Sequence, residues 1–178
     1  MDENLVIRQR VLPHWRLEYS TYFVTWCKLQ HLPSLISEER SLIVDSILHF
    51  HRERYHVWAY VVMDDHVHVL LTPMNYPLSK ILRTWKSYSA RMINNHRGRT
   101  GSLWQVESFD RIIRNENEFV TKLEYILNNP LKRWPQIKNY KWADWTKDEF
   151  SYSRVEQPTE DKQATQANLR KESNNDFQ

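Results

Sequence analysis

Two apolar segments separated by two aspartates constrain the fold of this chain more than any other feature. Residues 56–63 have the sequence HVWAYVVM, residues 66–73 have the sequence HVHVLLTP, and Asp64 and Asp65 lie between them. Both segments are rich in β-branched and aromatic residues, which favour strands, and a two-residue connection joins strands as a tight antiparallel hairpin. The middle of the chain is therefore predicted to be an antiparallel pair around which the other elements pack.

The segments on either side of this hairpin alternate between strand and helix patterns. STYFVTWCKLQ (20–30) predicts a first strand, and SEERSLIVDSILHFHRERY (37–55) predicts a helix capped by Ser34 or Ser37. After the hairpin, the apolar spacing predicts a second helix that ends at Gly98. SFDRIIRN (108–115) predicts a fourth strand, and a third helix is predicted to begin near Asn115 and to end at Pro130.

The predicted order of elements is β-α-β-β-α-β-α. The first six match the ferredoxin-like pattern βαββαβ, an α+β fold in which helices cover one face of an antiparallel sheet. The third helix is an addition, which we expect to pack on the face or edge that the other helices leave open. Residues 155–178 lack an apolar period and are rich in polar side chains, so we predict one domain over residues 1–154 and a disordered tail.

The composition argues against several classes of protein. Two glycines among 178 residues are few for the phosphate-binding loops of P-loop and Rossmann proteins. No segment approaches the roughly 18 continuous apolar residues of a membrane-spanning helix. Cys27 is the only cysteine, which leaves no disulfide framework and no cysteine-based zinc site. We therefore expect a cytoplasmic protein that does not associate with membranes.

The net charge of +3 is unevenly distributed along the chain. Residues 155–178 contain five acidic and three basic residues, which leaves a net charge of +5 on residues 1–154. Basic and aromatic residues are interleaved in RTWKSYSARMINNHRGR (83–99). Cations between flat rings suit a nucleic acid partner, although a solvated surface has the same composition.

His66 and His68 interrupt the most apolar segment of the chain. Successive strand residues point to opposite faces, so both imidazoles are predicted to share one face, about 7 Å apart, while Val67 and Val69 point into the core. Two neutral imidazoles at that spacing can bind one metal ion or one phosphate. Because two ordinary strand histidines have the same spacing, the interpretation depends on a third ligand and a reactive group.

The third helix offers candidates for both. At about 100° per residue, one stripe of apolar residues is predicted to be buried: Phe119, Leu123, Ile126 and Leu127. Tyr125 falls on the far side of the helix from this stripe, and Asn129, four residues later, stands beside it. Glu118 and Lys122 share the same sector. A phenol, an amide, an acid and an amine are therefore predicted to line one polar face.

Together with four further segments, the histidine motif resembles a known family. YVVMDDHVHVLL is similar to the His-hydrophobic-His segment of the single-tyrosine transposases. The ordered set VLPHW, TYFVTW, GSLWQVESFDRIIRNENEF and LEYILNNPLK, within about residues 10–145, resembles the REP-associated tyrosine transposases, relatives of the smallest bacterial insertion-sequence transposases. Relatives often have Pro-Asn where this chain has Asp64-Asp65, but two aspartates also suit a turn, and Asp65 could orient an imidazole.

The resemblance implies a metal-dependent endonuclease and strand-transferase that cuts single-stranded DNA next to a hairpin. By motif position, Tyr125 is the nucleophile that forms a 5′-phosphotyrosine bond. The same correspondence assigns His66, His68 and Asn129 to a divalent ion, Mg²⁺ or Mn²⁺. The expected partner is hairpin-bearing single-stranded DNA, and either a monomer or a homodimer that exchanges helices could form the site.

Cations and one aromatic ring near the second helix, the fourth strand and the third helix are the candidate DNA contacts: Arg83, Lys86, Arg91, Trp104, Arg111, Arg114 and Lys122. Tyr88 is a rival nucleophile, although its place at the edge of the apolar stripe of the second helix favours a role in packing or base stacking. A different class of function is a non-catalytic module that binds hairpin DNA or RNA. The presence of two histidines, Tyr125 and Asn129 together favours catalysis, because a pure binding protein has no need of all four.

Overall fold

The computed structural model of the protein describes residues 20–146. Strands and helices alternate along this part of the chain: β1 (Tyr22–Lys28), α1 (Ser37–Leu48), β2 (Tyr55–Val62), β3 (His66–Pro73), α2 (Leu78–His96), β4 (Trp104–Ile112), α3 (Glu116–Leu127), α4 (Asn129–Arg133) and β5 (Ala143–Trp145). The predicted order β-α-β-β-α-β-α is confirmed, and two short elements follow it. The VLPHW segment, the predicted domain boundary at residue 154 and the tail at 155–178 lie outside the described residues.

The strands form one antiparallel sheet in the order β4-β1-β3-β2-β5. The first four have the ferredoxin-like arrangement, and β5 extends the sheet beyond β2. The predicted hairpin is confirmed, since Val62 pairs with Val67 and the Met63 N–H donates to the His66 carbonyl at 2.8 Å. Because β3 is the central strand, His66 and His68 are held between β1 and β2.

Each face of the sheet carries its own apolar core. On one face, α1 and α2 pack against the sheet through a cluster that includes Val24, Trp26, Val67, Val69, Ile43, Ile47, Ile81 and Trp85. On the other face, α3 packs through a second cluster that includes Phe23, Val61, Leu70, Phe119, Leu123 and Ile126. The alternation along β3 therefore points its valines towards α1 and α2 and its histidines towards α3.

α3 begins as predicted and is followed by a break. Asn115 Oδ1 accepts a hydrogen bond from the Glu118 N–H at 2.9 Å, which caps the helix at its first turn. The helix ends with Asn128 at its C-cap, and Pro130 lies in the first turn of α4. Asn129 therefore belongs to a second short helix, and not to a continuation of the helix that carries Tyr125.

The start of β4 and the presence of a fifth strand differ from the sequence-based prediction. β4 begins at Trp104, four residues before the predicted start at Ser108, because a bulge in the pairing with β1 lets Trp104 pair with Lys28. The sequence does not predict β5, since a strand of three residues has no readable alternation. Among residues 20–146, no helix is long and apolar enough to cross a membrane.

Candidate active site

His66 and His68 lie side by side on the α3 side of the sheet. Their ring centroids are 4.7 Å apart. His68 is 6% exposed, whereas His66 is half-buried at the start of β3, next to the hairpin turn. The shared face predicted from strand alternation is therefore present, and the two rings border one small polar site.

Both ring nitrogens of His66 face oxygen atoms. Nδ1 lies 2.6 Å from Asp65 Oδ1, and Nε2 lies 3.2 Å from Asn129 Oδ1. The ionised Asp65 carboxylate can only accept, so it favours a proton on Nδ1 and leaves the Nε2 lone pair directed at the amide oxygen of Asn129. Two lone pairs that face each other repel unless a proton or a metal cation lies between them.

His68 is held as a neutral imidazole. Its Nδ1 lies 2.7 Å from Thr25 Oγ1 on β1. Burial first, and then the electrostatic influence of His66, Lys122 and Lys132, lower the pKa of His68 to about 3. Its Nε2 is buried and has no hydrogen-bond partner among residues 20–146. When Thr25 accepts from Nδ1–H, Nε2 presents its lone pair to the site.

Tyr125 joins this cluster from α3. Its ring centroid lies 5.2 Å from that of His68 and 5.9 Å from that of Phe23, which itself stacks on His68 at 5.3 Å. Two ammonium groups lie against the phenol, with Lys132 Nζ 3.9 Å and Lys122 Nζ 5.5 Å from its centroid. The phenol is thus fixed beside the histidines by aromatic contacts and surrounded by positive charge.

An ion pair connects α4, the helix that begins with Asn129, to the hairpin turn. Arg133 Nη2 lies 2.7 Å from Asp64 Oδ2. This contact holds α4 against the turn that precedes His66, and Asn129 is buried at the start of the same helix. Asp64 and Asp65 therefore do more than form a turn, because one anchors α4 and the other orients His66.

The donor atoms fit a divalent metal ion. Neighbouring ligands of an octahedral ion with bonds of about 2.1 Å are about 3 Å apart, close to the 3.2 Å between His66 Nε2 and Asn129 Oδ1. Imidazole nitrogen and amide oxygen are compatible with several divalent metals. Within residues 20–146, no three His, Cys, Asp or Glu side chains converge as a metal site, so a three-ligand site at the histidines would have to include the amide of Asn129.

The comparisons with known proteins place this chain in a family. The sequence matches the family model described as "Transposase IS200 like" over residues 14–129, more than half of the chain. The chain belongs to the IS200-like transposase family. Transposases are enzymes that cleave and join DNA, and the resemblance to the single-tyrosine transposases is confirmed at the level of the family. The matched range includes both histidines, Tyr125 and Asn129.

A solved structure supports the fold of this IS200-like transposase. A REP-associated tyrosine transposase bound to a REP hairpin is similar, with a TM-score of 0.58 and 21% identity over 74% of this chain and 82% of that chain. A putative transposase from Deinococcus radiodurans R1 has a TM-score of 0.45 and 20% identity, over 66% of this chain and 95% of that one. The comparison with curated proteins finds no match. The first similarity agrees with the predicted ferredoxin-like sheet and its added helix.

Three of the predicted DNA contacts of the transposase lie on the histidine side of the sheet. They line a cleft of about 450 Å³ at the start of α3, formed by Arg111, Arg114, Asn115, Glu118, Thr121 and Lys122. Arg111 Nε pairs with Glu118 Oε1 at 2.6 Å, and the Lys122 ammonium also lies 4.6 Å from the Phe23 ring centroid. This positively charged cleft is therefore continuous with the surroundings of Tyr125.

The other four predicted DNA contacts are not brought to the site. Arg83 and Arg91 are exposed on α2, which covers the opposite face of the sheet. Lys86 Nζ donates to two backbone carbonyls and to Ser108 Oγ, so it holds β4 in place. Trp104 is buried in the α1–α2 core and is not available to stack on a base. Sequence spacing could not show which side of the sheet these residues occupy.

The rival nucleophile Tyr88 lies on α2 as well. It is exposed, and Arg91 Cζ lies 5.8 Å from its ring centroid. The sheet separates α2 from the histidines, so Tyr88 cannot reach a phosphate held there. Of the two tyrosines weighed from the sequence, Tyr125 is the one beside His68.

Three residues of the site have no signal in the sequence. Thr25 and Phe23 contact His68 across the pairing of β1 with β3, a register that one sequence does not specify. Lys132 reaches Tyr125 because the chain breaks at Asn128 and folds back as α4. Alternation along the first strand predicts that Phe23 and Thr25 share a face, but not that this is the histidine face.

Proposed function

We propose that this IS200-like transposase is a metal-dependent endonuclease and strand-transferase that cuts single-stranded DNA next to a hairpin through a 5′-phosphotyrosine intermediate. The observation that carries the proposal is the convergence of Tyr125 and Asn129 on His66 and His68. The similarity to a REP-associated transposase that was solved on a REP hairpin supports the class of substrate.

His66 Nε2, His68 Nε2 and Asn129 Oδ1 would hold the divalent ion, Mg²⁺ or Mn²⁺. When bound, the ion would act as a Lewis acid that neutralises the charge of the scissile phosphate. The contacts of Asp65 and Thr25 with the two Nδ1 atoms keep both Nε2 lone pairs free for this role. The burial of His68 keeps its ring unprotonated at neutral pH, as a ligand must be.

Tyr125 would perform the chemical step. Its phenol oxygen attacks the phosphorus, the bond to the 3′ oxygen breaks, and the products are a 5′-phosphotyrosine and a free 3′-hydroxyl. The phenol proton passes to solvent, and the departing oxygen takes up a proton, so the step is balanced. Lys122 and Lys132 add positive charge beside the phosphate as negative charge develops. Because the covalent bond conserves the energy of the phosphodiester, a 3′-hydroxyl can reverse the step without ATP.

The first prediction tests the nucleophile directly. Hairpin-bearing single-stranded DNA incubated with the protein and Mn²⁺ should give a covalent adduct, visible as a slower band on a denaturing gel. Tyr125→Phe should abolish the adduct while DNA binding persists, because only the attacking oxygen is removed. Tyr88→Phe is the matched control and should leave the adduct unchanged.

Two other outcomes would redirect the assignment. An adduct that survives Tyr125→Phe and disappears in Tyr88→Phe would exclude Tyr125 as the nucleophile. Tight binding of hairpin DNA without cleavage, with either metal, would favour the non-catalytic binding module.

A further inference from the structure

β4 carries a large aromatic side chain that the proposed mechanism does not use. Phe109 is 58% exposed although it lies within a strand. In the sheet, Phe109 pairs with Thr25 of β1, and Thr25 pairs with His68 of β3. Directly opposed residues of antiparallel strands point to the same face. Phe109, Thr25 and His68 therefore form one row across three strands, on the face that carries the site.

This row leads from the histidines to an open part of the sheet. Neighbouring strands are about 4.8 Å apart, so the backbone of Phe109 lies about 10 Å from that of His68. α3 packs mainly on β2, β3 and β5, and it reaches the other two strands only at Phe23 of β1 and through the Arg111–Glu118 ion pair with β4. Thr25 and Cys27 are only half-buried there. The Phe109 ring thus borders a shallow surface that begins at His68.

The charges around Phe109 indicate what this surface could bind. Arg111, two residues later on β4, opposes Phe23 of β1 and points to the same face, where it is exposed although its Nε is paired with Glu118. Its guanidinium and Lys122 line the cleft beside Tyr125. An aromatic ring next to cations is the usual arrangement for single-stranded DNA, because bases stack on the ring and phosphates contact the cations.

We propose that Phe109 is the stacking platform for one nucleobase of the single strand whose phosphate is held at His66 and His68. At 3.4 Å per stacked nucleotide, the separation of about 10 Å corresponds to a base within roughly three nucleotides of that phosphate. The inference rests on the proposed function, and it adds a nucleobase site that is separate from the metal ligands and from the nucleophile.

The second prediction measures binding in a Tyr125→Phe background, so that cleavage does not contribute. The probe is a hairpin oligonucleotide with a single-stranded flank of mixed sequence, in the presence of Mg²⁺. Phe109→Ala should weaken binding roughly 5- to 150-fold, the range for the loss of one base–aromatic stack. Phe109→Trp should retain most of the affinity. Ile112→Ala is the matched control, because Ile112 is an exposed apolar residue of the same strand that pairs with Tyr22 and points to the opposite face.

An abasic scan of the flank then identifies the partner of the ring. At one position near the cleavage site, removal of the base should weaken binding to the Tyr125→Phe protein. The same removal should not weaken binding to the Tyr125→Phe protein that also carries Phe109→Ala. Unchanged affinity in Phe109→Ala would overturn the inference. Equal losses in Phe109→Ala and Ile112→Ala would also overturn it, since they would show that the strand as a whole is disturbed.

The stacking site and the proposed chemistry fail in different ways. If the protein with Tyr125 intact forms its adduct and no base couples to Phe109, the stacking site is absent and the chemistry stands. If no adduct forms but the coupling is present, the proposed chemistry is wrong and the stacking site stands.

Discussion

At the scale of single residues, Thr25 contacts one ring nitrogen of His68 and leaves the other ring nitrogen directed at the site. Its hydroxyl lies 2.7 Å from His68 Nδ1, and the opposite ring nitrogen is buried without a partner among the described residues. Thr25→Val keeps the shape and the strand preference but removes this contact. We expect Mn²⁺ affinity and the rate of adduct formation to fall about 10- to 100-fold, as on loss of a residue that orients a metal ligand. Titration with Mn²⁺ followed by electron paramagnetic resonance measures the affinity.

Thr21→Val is the matched control for this third prediction. Thr21 is also buried, and its hydroxyl lies 2.7 Å from Thr72 Oγ1. The substitution should cost a similar amount of stability, about 1 kcal/mol, and leave Mn²⁺ affinity unchanged. Equal Mn²⁺ affinity in Thr25→Val and the unmodified protein would show that the threonine does not orient His68.

Some residues of the candidate site can be predicted from local sequence patterns, and others cannot. His66 and His68 could be assigned to one face from alternation alone. The helical period places Tyr125 on the far side of α3 from the apolar stripe, and this prediction is wrong, because the Tyr125 ring is half-buried against the α3 core beside Phe23. Thr25 and Lys132 could not be assigned, because their contacts depend on strand register and on the break between α3 and α4.

At the scale of elements, the start of α3 is fixed by reciprocal contacts that the sequence indicates in part. Asn115 accepts from the Glu118 N–H, and the Glu118 carboxylate accepts from the Arg114 N–H at 3.0 Å. This arrangement satisfies one N–H of the first turn and fixes the entry of the helix that carries Tyr125.

The fourth prediction follows from this cap. Asn115→Ala removes the acceptor and should lower the free energy of unfolding by about 1 kcal/mol, whereas Asn115→Asp keeps an acceptor and should be nearly neutral. Urea denaturation followed by circular dichroism measures both variants. Equal stability of the alanine and aspartate variants would show that the cap does not stabilise α3.

At the scale of the whole molecule, the two-faced sheet follows from the hairpin with which the sequence argument began. A central pair with apolar residues on both faces requires cover on both sides, and the order βαββαβ supplies two helices for one side only. The added α3 covers the other, which is why this part of the fold could be predicted. β5 and α4 could not, because elements of three and five residues are stabilised by packing on a sheet that already exists.

A buried ion pair connects α1 to the end of α2 on the face away from the site. Arg97 Nε and Nη2 lie 2.5 and 2.6 Å from the two carboxylate oxygens of Glu39, which is 3% exposed. Burial on its own would raise the pKa of Glu39, but the hydrogen bonds from Arg97 and the Ile36 N–H, with the Arg97 charge, outweigh it and lower the pKa.

The fifth prediction concerns pH. Because the folded-state pKa of Glu39 lies below the unfolded-state value, the pair stabilises the protein fully above about pH 4.3, the ordinary pKa of glutamate, and this contribution is lost as the pH falls through the folded-state value. Glu39→Gln should be less stable than the unmodified protein by about 2 kcal/mol at pH 7, and the difference should shrink in acid. Urea denaturation across this range measures the effect.

Glu38→Gln is the control that distinguishes the contribution of the Glu39–Arg97 pair from the general effect of acid on stability. Glu38 lies next to Glu39 in the first turn of α1 but is exposed, so its neutralisation should leave the pH dependence of unfolding close to that of the unmodified protein. A Glu39→Gln variant whose stability falls as steeply in acid as that of Glu38→Gln would show that the pair does not determine acid stability. The loss in acid would then have to come from other carboxylates, among which Glu118 also has a lowered pKa, caused first by its hydrogen bond with the Arg114 N–H.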